Sequence, residues 1–139
     1  MKIVNLSIQG TDANVMTAPA EELRIREGYD IDLYCVNATE ADGDVLVYRE
    51  LVRRTEEADL VIIRCMSDPS RFKRFQKYEE VLKKCPGYVL LHSGNPDVVL
   101  LYRSLFRGSD EDYMILRRYI SARGIENEYG PIYWLNSVT

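Results

Sequence analysis

The residues best suited to chemistry lie where an apolar run of the chain ends in polar and turn-forming residues. The run Tyr88-Val89-Leu90-Leu91 leads into His92-Ser93-Gly94-Asn95-Pro96, and His92 is the only histidine. Because ligands of open parallel sheets bind just beyond the carboxyl ends of the strands, this position predicts a site. An ordinary pKa of about 6.5 suits a histidine that acts as an acid, a base, a metal ligand or a donor to a carboxylate. A structural hydrogen bond is the commoner role of an isolated histidine.

The neighbours of His92 favour binding over catalysis. Ser93 and Asn95 supply short donors and acceptors, and Gly94 would let the backbone come close to a ligand. Without a second histidine, a transition-metal site made by this chain alone is disfavoured. Ser93 lacks the GxSxG context of a nucleophilic serine.

Arginines form a second group of candidates. Arg64 follows the run Leu60-Val61-Ile62-Ile63, and Arg107-Gly108-Ser109 lies at a predicted helix junction. A guanidinium fork at either place could bind a carboxylate bidentately. The last third of the chain also contains Arg103, Arg117, Arg118 and Arg123 among acidic residues, a pattern typical of solvated helix surfaces. The candidate ligand-binding residues are Arg64, Ser93, Gly94, Asn95, Arg107 and Ser109, with His92 as the candidate catalytic residue.

Several familiar sites are excluded or disfavoured. The turn at residues 7–12 has neither the GxGxxG nor the GxxxxGK[ST] spacing, so it predicts a plain strand-to-helix turn. A phosphoacceptor receiver would need an aspartate where Arg64 stands, and a cobalamin-binding DxHxxG loop does not match the residues around His92. Cys35, Cys65 and Cys85 form no CxxC pair and are expected to be small core residues.

Composition indicates one soluble domain. The chain has 139 residues, of which 46% are hydrophobic and 29% charged, and its net charge of -4 gives no reason to expect nucleic-acid binding. No apolar run approaches the ~18 residues that would span a bilayer. The polar start of the chain does not resemble a secretion signal, so a cytoplasmic location is expected.

The order of elements predicts a doubly wound α/β fold. Strands are expected at residues 3–8, 31–36, 60–63 and 88–91, with helices within 14–27, from 45 and over 70–84, and with a polar loop at 37–43. Helices at 96–106, 110–122 and 128–135 should follow. We therefore expect a flavodoxin-like parallel sheet of about four strands and a helical last third, all in a single domain spanning 1–139.

Three segments of the sequence resemble a known family. Arg71-Phe72-Lys73-Arg74-Phe75-Gln76-Lys77-Tyr78, Leu91-His92-Ser93-Gly94-Asn95-Pro96 and Leu105-Phe106-Arg107-Gly108-Ser109-Asp110-Glu111-Asp112-Tyr113 are similar to the amino-terminal region of the cobaltochelatase CobN subunit. The likeness continues through residues 119–128. The same superfamily contains the large subunit of magnesium chelatase.

The resemblance implies a part in ATP-dependent insertion of cobalt into a corrin-type tetrapyrrole, in cobalamin biosynthesis. In that family the large subunit binds tetrapyrrole and metal. Partner AAA+ and integrin-like subunits use ATP and magnesium, so this domain would bind no cofactor of its own. Family members are far longer, so the chain would be a leading domain or a fragment, inactive alone. His92 would be the available base for pyrrole protons.

Two other functions remain open. The chain could be a non-catalytic flavodoxin-like scaffold, in which His92-Ser93-Gly94-Asn95-Pro96 only shapes the sheet rim and Arg107 faces another protein. A stand-alone nucleotide or flavin binder is the weaker alternative, because the phosphate loop is missing. Under the chelatase interpretation, the two motifs around His92 and Arg107 should form one surface for binding or docking.

Overall fold

The core of the molecule is a parallel sheet of four strands. The computed structural model describes residues 1–9, 12–122 and 124–139. Within them the strands are β1 (Lys2–Ile8), β2 (Asp32–Asn37), β3 (Leu60–Cys65) and β4 (Tyr88–Ser93), in the spatial order β2-β1-β3-β4. All three pairings are parallel. The predicted doubly wound α/β fold is confirmed.

Helices cover both faces of this sheet. The described residues form α1 (Thr17–Glu27), α2 (Ala38–Gly43), α3 (Val45–Glu56), α4 (Phe75–Lys83), α5 (Pro96–Leu101), α6 (Asp110–Ser121) and α7 (Gly130–Val138). Three 3₁₀ helices lie between them, at Pro69–Arg71, Arg103–Leu105 and Ile125–Glu128. None of the described helices is long and apolar enough to cross a membrane.

The alternation of β1 explains the two layers of the core. Val4, Leu6 and Ile8 pack towards the cluster that contains residues of α3 and α4. Ile3 packs on the opposite face, in the cluster that contains residues of α1, α6 and α7. The helices α6 and α7 thus cover the face of the sheet that carries α1, whereas Val98 of α5 and Leu105 pack with the cluster that contains α3 and α4.

Two segments differ from the predictions made for them. Instead of the loop expected at 37–43, Asn37 ends β2 and residues 38–43 form α2, because the Asn37 side chain accepts from the Glu40 amide and Ala41 is buried. The helix expected at 70–84 begins only at Phe75, since the Asp42 carboxylate accepts from the amides of Lys73 and Arg74 and holds them outside a helix.

The last third also departs from its predicted boundaries. The helix expected at 96–106 ends at Leu101 and is followed by a 3₁₀ turn. The final helix runs over Gly130–Val138 rather than 128–135. Gly10 and Thr11 of the predicted turn, and Arg123, lie outside the described residues.

Candidate functional site

A cavity opens at the carboxyl edge of the sheet. Its volume is about 520 Å³, within the range of ligand pockets. Arg64, His92 and Gly94 come from the ends of β3 and β4 and the turn after β4, and another part of the wall is formed by the end of α6 and by Glu128. The cavity therefore lies where ligands bind in open parallel sheets.

One row of residues across the sheet lies beneath this cavity. Ser7 of β1 pairs with Arg64 of β3, and Arg64 pairs with His92 of β4. Residues that are paired in register point to the same face of a sheet. The row therefore places a hydroxyl, a guanidinium and an imidazole side by side, on the face covered by α1 and α6.

Arg64 forms a buried, bidentate ion pair. Its Nη1 and Nη2 donate to Oε1 and Oε2 of Glu128 over 2.9 and 2.6 Å, and its Nε donates to Oδ1 of Asn5 over 2.9 Å. The side chains of Arg64 and Glu128 are only 8% and 9% exposed. A charge buried in this way is stable only while it stays paired.

The surroundings of His92 favour the neutral form of its imidazole. Burial lowers the pKa of its imidazole, and the positive charges of Arg117 and Arg64 lower it further. Its Nδ1 is buried without a hydrogen-bond partner, which favours the tautomer with the proton on Nε2, because a buried N–H without an acceptor is rarer than a buried lone pair. Nε2–H is then the ring donor available to a ligand.

Among the described residues, two buried side-chain nitrogen or oxygen atoms have no hydrogen-bond partner, and both lie in this row. They are Oγ of Ser7 and Nδ1 of His92. Leaving such a group unsatisfied costs about 1–3 kcal/mol. Native structures contain few of these atoms, and a functional role is a common reason for keeping them. Their position supports a ligand site at this edge.

Gly94 borders the cavity, whereas Ser93 and Asn95 stabilise the turn behind it. The Gly94 amide donates to the Met66 carbonyl over 3.1 Å, and a Cβ at position 94 would lie 2.7 Å from the same oxygen. Oγ of Ser93 donates to the Ser67 carbonyl, and the Asn95 side chain caps α5. Glycine is therefore required at position 94 by the chain itself.

Arg107 and Ser109 lie at the other end of β4. Arg107 donates to the carbonyls of Lys83 and Cys85, which precede the strand, and Ser109 caps α6 by accepting from the Asp112 amide. The ends of β4 are about 17 Å apart at about 3.3 Å per residue.

The prediction that the two motifs form one surface is therefore wrong. Phe106 stacks on Tyr88, the first residue of β4, with the ring centroids 5.5 Å apart. After His92 the chain thus runs back along the strand, and the segment around Arg107 is fixed beside the amino edge of the sheet.

The cysteines do not form a reactive group. Cys65 and Cys85 are buried and Cys35 is half-buried, and burial raises the pKa of all three thiols. Thiols with a raised pKa are poor nucleophiles. Within residues 1–9, 12–122 and 124–139, no cluster of three or more His, Cys, Asp or Glu side chains could hold a metal ion.

An apolar groove between α5 and α6 is a second surface feature. It has a volume of about 460 Å³ and is lined by residues that include Leu100, Tyr113 and Met114. Leu100 is 75% exposed and Met114 is 52% exposed. Apolar side chains exposed together mark contact surfaces more often than isolated ones do.

Comparison with known proteins supports the fold. No protein-family model and no curated protein sequence matches the chain. Among solved structures, the catalytic subunit of cobaltochelatase from Mycobacterium tuberculosis matches 96% of this chain with a TM-score of 0.58 and 15% sequence identity. The match covers 10% of that subunit, so the chain spans about a tenth of its length. At this identity the likeness shows a shared fold.

Proposed function

We propose that the chain is a domain of a cobaltochelatase-type subunit and that its carboxyl-edge cavity binds one side arm of a tetrapyrrole. The observation that carries this proposal is the cavity over the Ser7–Arg64–His92 row, in a fold that matches part of a cobaltochelatase subunit. Corrin precursors carry carboxylate and amide arms. The Nε2–H of His92 is a donor suited to such oxygens, and the guanidinium of Arg64 is one when it is released from Glu128.

The size of the cavity limits what this domain can do. A volume of about 520 Å³ is too small to enclose a whole corrin ring with its side chains. The domain would hold one edge of the ring, and other parts of a complete subunit would cover the rest. We infer that the chain binds tetrapyrrole without inserting cobalt, and that ATP and magnesium are used by AAA+ and integrin-like partners.

The state of His92 favours binding over proton transfer. A neutral ring with its proton on Nε2 would donate to the ligand, and its basic Nδ1 is buried without a hydrogen-bond partner. Accepting a pyrrole proton at Nδ1 would require the ring to turn. A role for His92 as the base of metal insertion stays a prediction for the complete enzyme.

Titration with a porphyrin that carries propionate arms, followed by its absorbance, tests the proposal. We expect binding by the chain, weakened about tenfold or more in His92→Gln and unchanged in Arg107→Gln, which alters the amino edge. The esterified porphyrin should bind more weakly than the free acid. Absence of binding, or loss in Arg107→Gln with His92→Gln unaffected, would refute a cavity site. Circular dichroism of each variant controls for folding.

A second candidate function, docking to another domain or subunit, is favoured by the groove between α5 and α6. Its exposed Leu100 and Met114 would be buried by a partner. The substitutions Leu100→Ser and Met114→Ser should leave porphyrin binding intact and weaken association with the remaining domains of a chelatase large subunit. Equal association of wild type and variant in a pull-down would exclude this surface.

A further inference from the structure

The wall of the cavity includes a short helix whose buried residue is an ion-paired glutamate. In the 3₁₀ helix Ile125–Glu128, Glu128 is the only buried residue, and Ile125 is 59% exposed. Gly124, just before this helix, has a φ of 111°, a backbone region that glycine enters without strain. The ion pair between Glu128 and Arg64 therefore links this helix to β3.

The Glu128 carboxylate occupies Arg64 as a bound carboxylate ligand would. Both of its oxygens accept from the two terminal nitrogens of the guanidinium, over 2.9 and 2.6 Å. This parallel pair of bonds is the geometry in which arginine recognises free carboxylates. Arg64 and Glu128 both border the cavity, so an entering acid would meet the pair directly.

Replacement of the Glu128 carboxylate by a ligand carboxylate avoids the main energetic cost of moving Glu128 away from Arg64. If Glu128 simply moved away, Arg64 would be left as an unpaired buried charge, which is strongly unfavourable. An incoming carboxylate keeps Arg64 paired while Glu128 becomes solvated. His92 pairs with Arg64 in register and borders the same cavity, so an Nε2–H on its ring would be a further donor in this site.

We propose that Glu128 is an internal competitor for the site: a ligand carboxylate replaces it on Arg64, and the helix Ile125–Glu128 then leaves the cavity wall. Only molecules in which Glu128 has left Arg64 can bind the ligand, so the apparent affinity is the intrinsic affinity multiplied by the fraction of those molecules. This inference rests on the proposed function for the identity of the ligand, a carboxylate arm of a tetrapyrrole. The exchange itself can be measured with any small carboxylate.

Amide hydrogen exchange of the chain, read by mass spectrometry, tests the proposal with sodium propionate as the probe. Propionate should accelerate exchange in residues 125–128, whereas propionamide, its neutral counterpart, and sodium chloride at equal ionic strength should not. If propionate leaves this segment as protected as propionamide does, Glu128 is a fixed structural partner and the proposal is overturned.

Affinity for propionate provides the second measurement. Glu128→Gln should bind propionate about tenfold more tightly, equivalent to ~1.4 kcal/mol, and the matched control Glu126→Gln, an exposed residue of the same segment, should bind as wild type does. If Glu128→Gln does not fold, Glu128→Asp keeps the charge with a shorter reach and should also bind more tightly. Affinity unchanged in the folded variant would overturn the proposal.

The two proposals fail separately. Porphyrin binding without accelerated exchange in residues 125–128 would overturn the competition and leave the tetrapyrrole site standing. Propionate-dependent opening without porphyrin binding would support the competition and overturn the choice of ligand.

Discussion

Replacing one partner of the buried ion pair between Arg64 and Glu128 should lower the free energy of unfolding far more than replacing both partners together. Arg64→Met leaves the Glu128 carboxylate and the Asn5 amide oxygen without their donor, in a site where both charged side chains are less than a tenth exposed. Glu128→Leu leaves the guanidinium with Asn5 alone. Removing one partner of a buried pair typically costs ~3–5 kcal/mol, whereas replacing both by apolar side chains of similar volume is often neutral or stabilising.

These values predict a large coupling in a double-mutant cycle. Each single variant should lose about 3 kcal/mol or more of its free energy of unfolding, and Arg64→Met/Glu128→Leu should lose much less than the two losses added together. A domain of this size has ~5–15 kcal/mol of stability in all. The single variants should therefore still fold, with a clear shift in midpoint.

Urea unfolding followed by far-ultraviolet circular dichroism near pH 7 measures the cycle. Asp110→Asn is the matched control, since Asp110 is 98% exposed and its ion pair with the half-buried Arg103 is open to solvent on the carboxylate side. Surface pairs contribute ~0–1 kcal/mol. The prediction would be refuted if Arg64→Met and Glu128→Leu lost as little free energy of unfolding as the control, or if the two losses were strictly additive in the double variant. Either result would show that Arg64 is solvated and that the cavity has no buried charge.

Three further predictions concern single residues. The lowered pKa of His92 means that the unfolded chain binds the extra proton first, so the free energy of unfolding should fall as the pH is lowered from about 7.5 to 5.5. Urea titrations of His92→Gln should show a flatter dependence, and an equal slope would contradict a neutral buried ring. Gly94→Ala brings a Cβ to 2.7 Å from the Met66 carbonyl oxygen and should cost ~1–3 kcal/mol in the same assay, whereas an unchanged midpoint would mean that the turn adapts. Tyr78→Phe removes the buried hydrogen bond of 2.8 Å to Thr55 and should cost ~1 kcal/mol by thermal unfolding, with no loss expected if water replaces the hydroxyl.

The strands and the class of fold were predictable because buried parallel strands leave a strong trace in the sequence. Runs such as Leu60-Val61-Ile62-Ile63 are apolar at every position, since helices cover both faces of the sheet. Helix caps were also predictable, because a capping side chain bonds to an amide only two or three residues further along the chain. The side chains of Asp44, Asn95 and Ser109 each accept from an amide of the helix that they begin.

The course of the chain after β4 could not be predicted in this way. The apolar residues from Val98 to Phe106 suit one continuous helix, and nothing local indicates that the helix ends at Leu101. The turn at Arg103–Leu105 that follows lets Phe106 stack on Tyr88. This tertiary contact places Arg107 at the amino edge and separates it from His92.

Only some of the residues of the site could be predicted from the sequence. Asn5 and Ser7 are polar residues at alternate positions of a strand that is apolar elsewhere after Lys2, and that pattern indicates a polar function on one face. It could have pointed to the partners of Arg64. Glu128 carries no such signal, because the surrounding residues Glu126 and Asn127 are equally polar and only the return of the chain to β3 buries it.

The pairing of Arg64 decides how complete this site is. If Arg64 stays with Glu128 when a tetrapyrrole binds, the cavity offers the Nε2–H of His92 as its main donor, and another domain must supply the counter-charge for a carboxylate arm. If Glu128 leaves Arg64, the chain can bind that arm by itself, through two parallel hydrogen bonds from the Arg64 guanidinium and a further one from the Nε2–H of His92. The exchange rate of residues 125–128 in the presence of porphyrin therefore separates a domain that binds the ring from one that only completes a site built elsewhere.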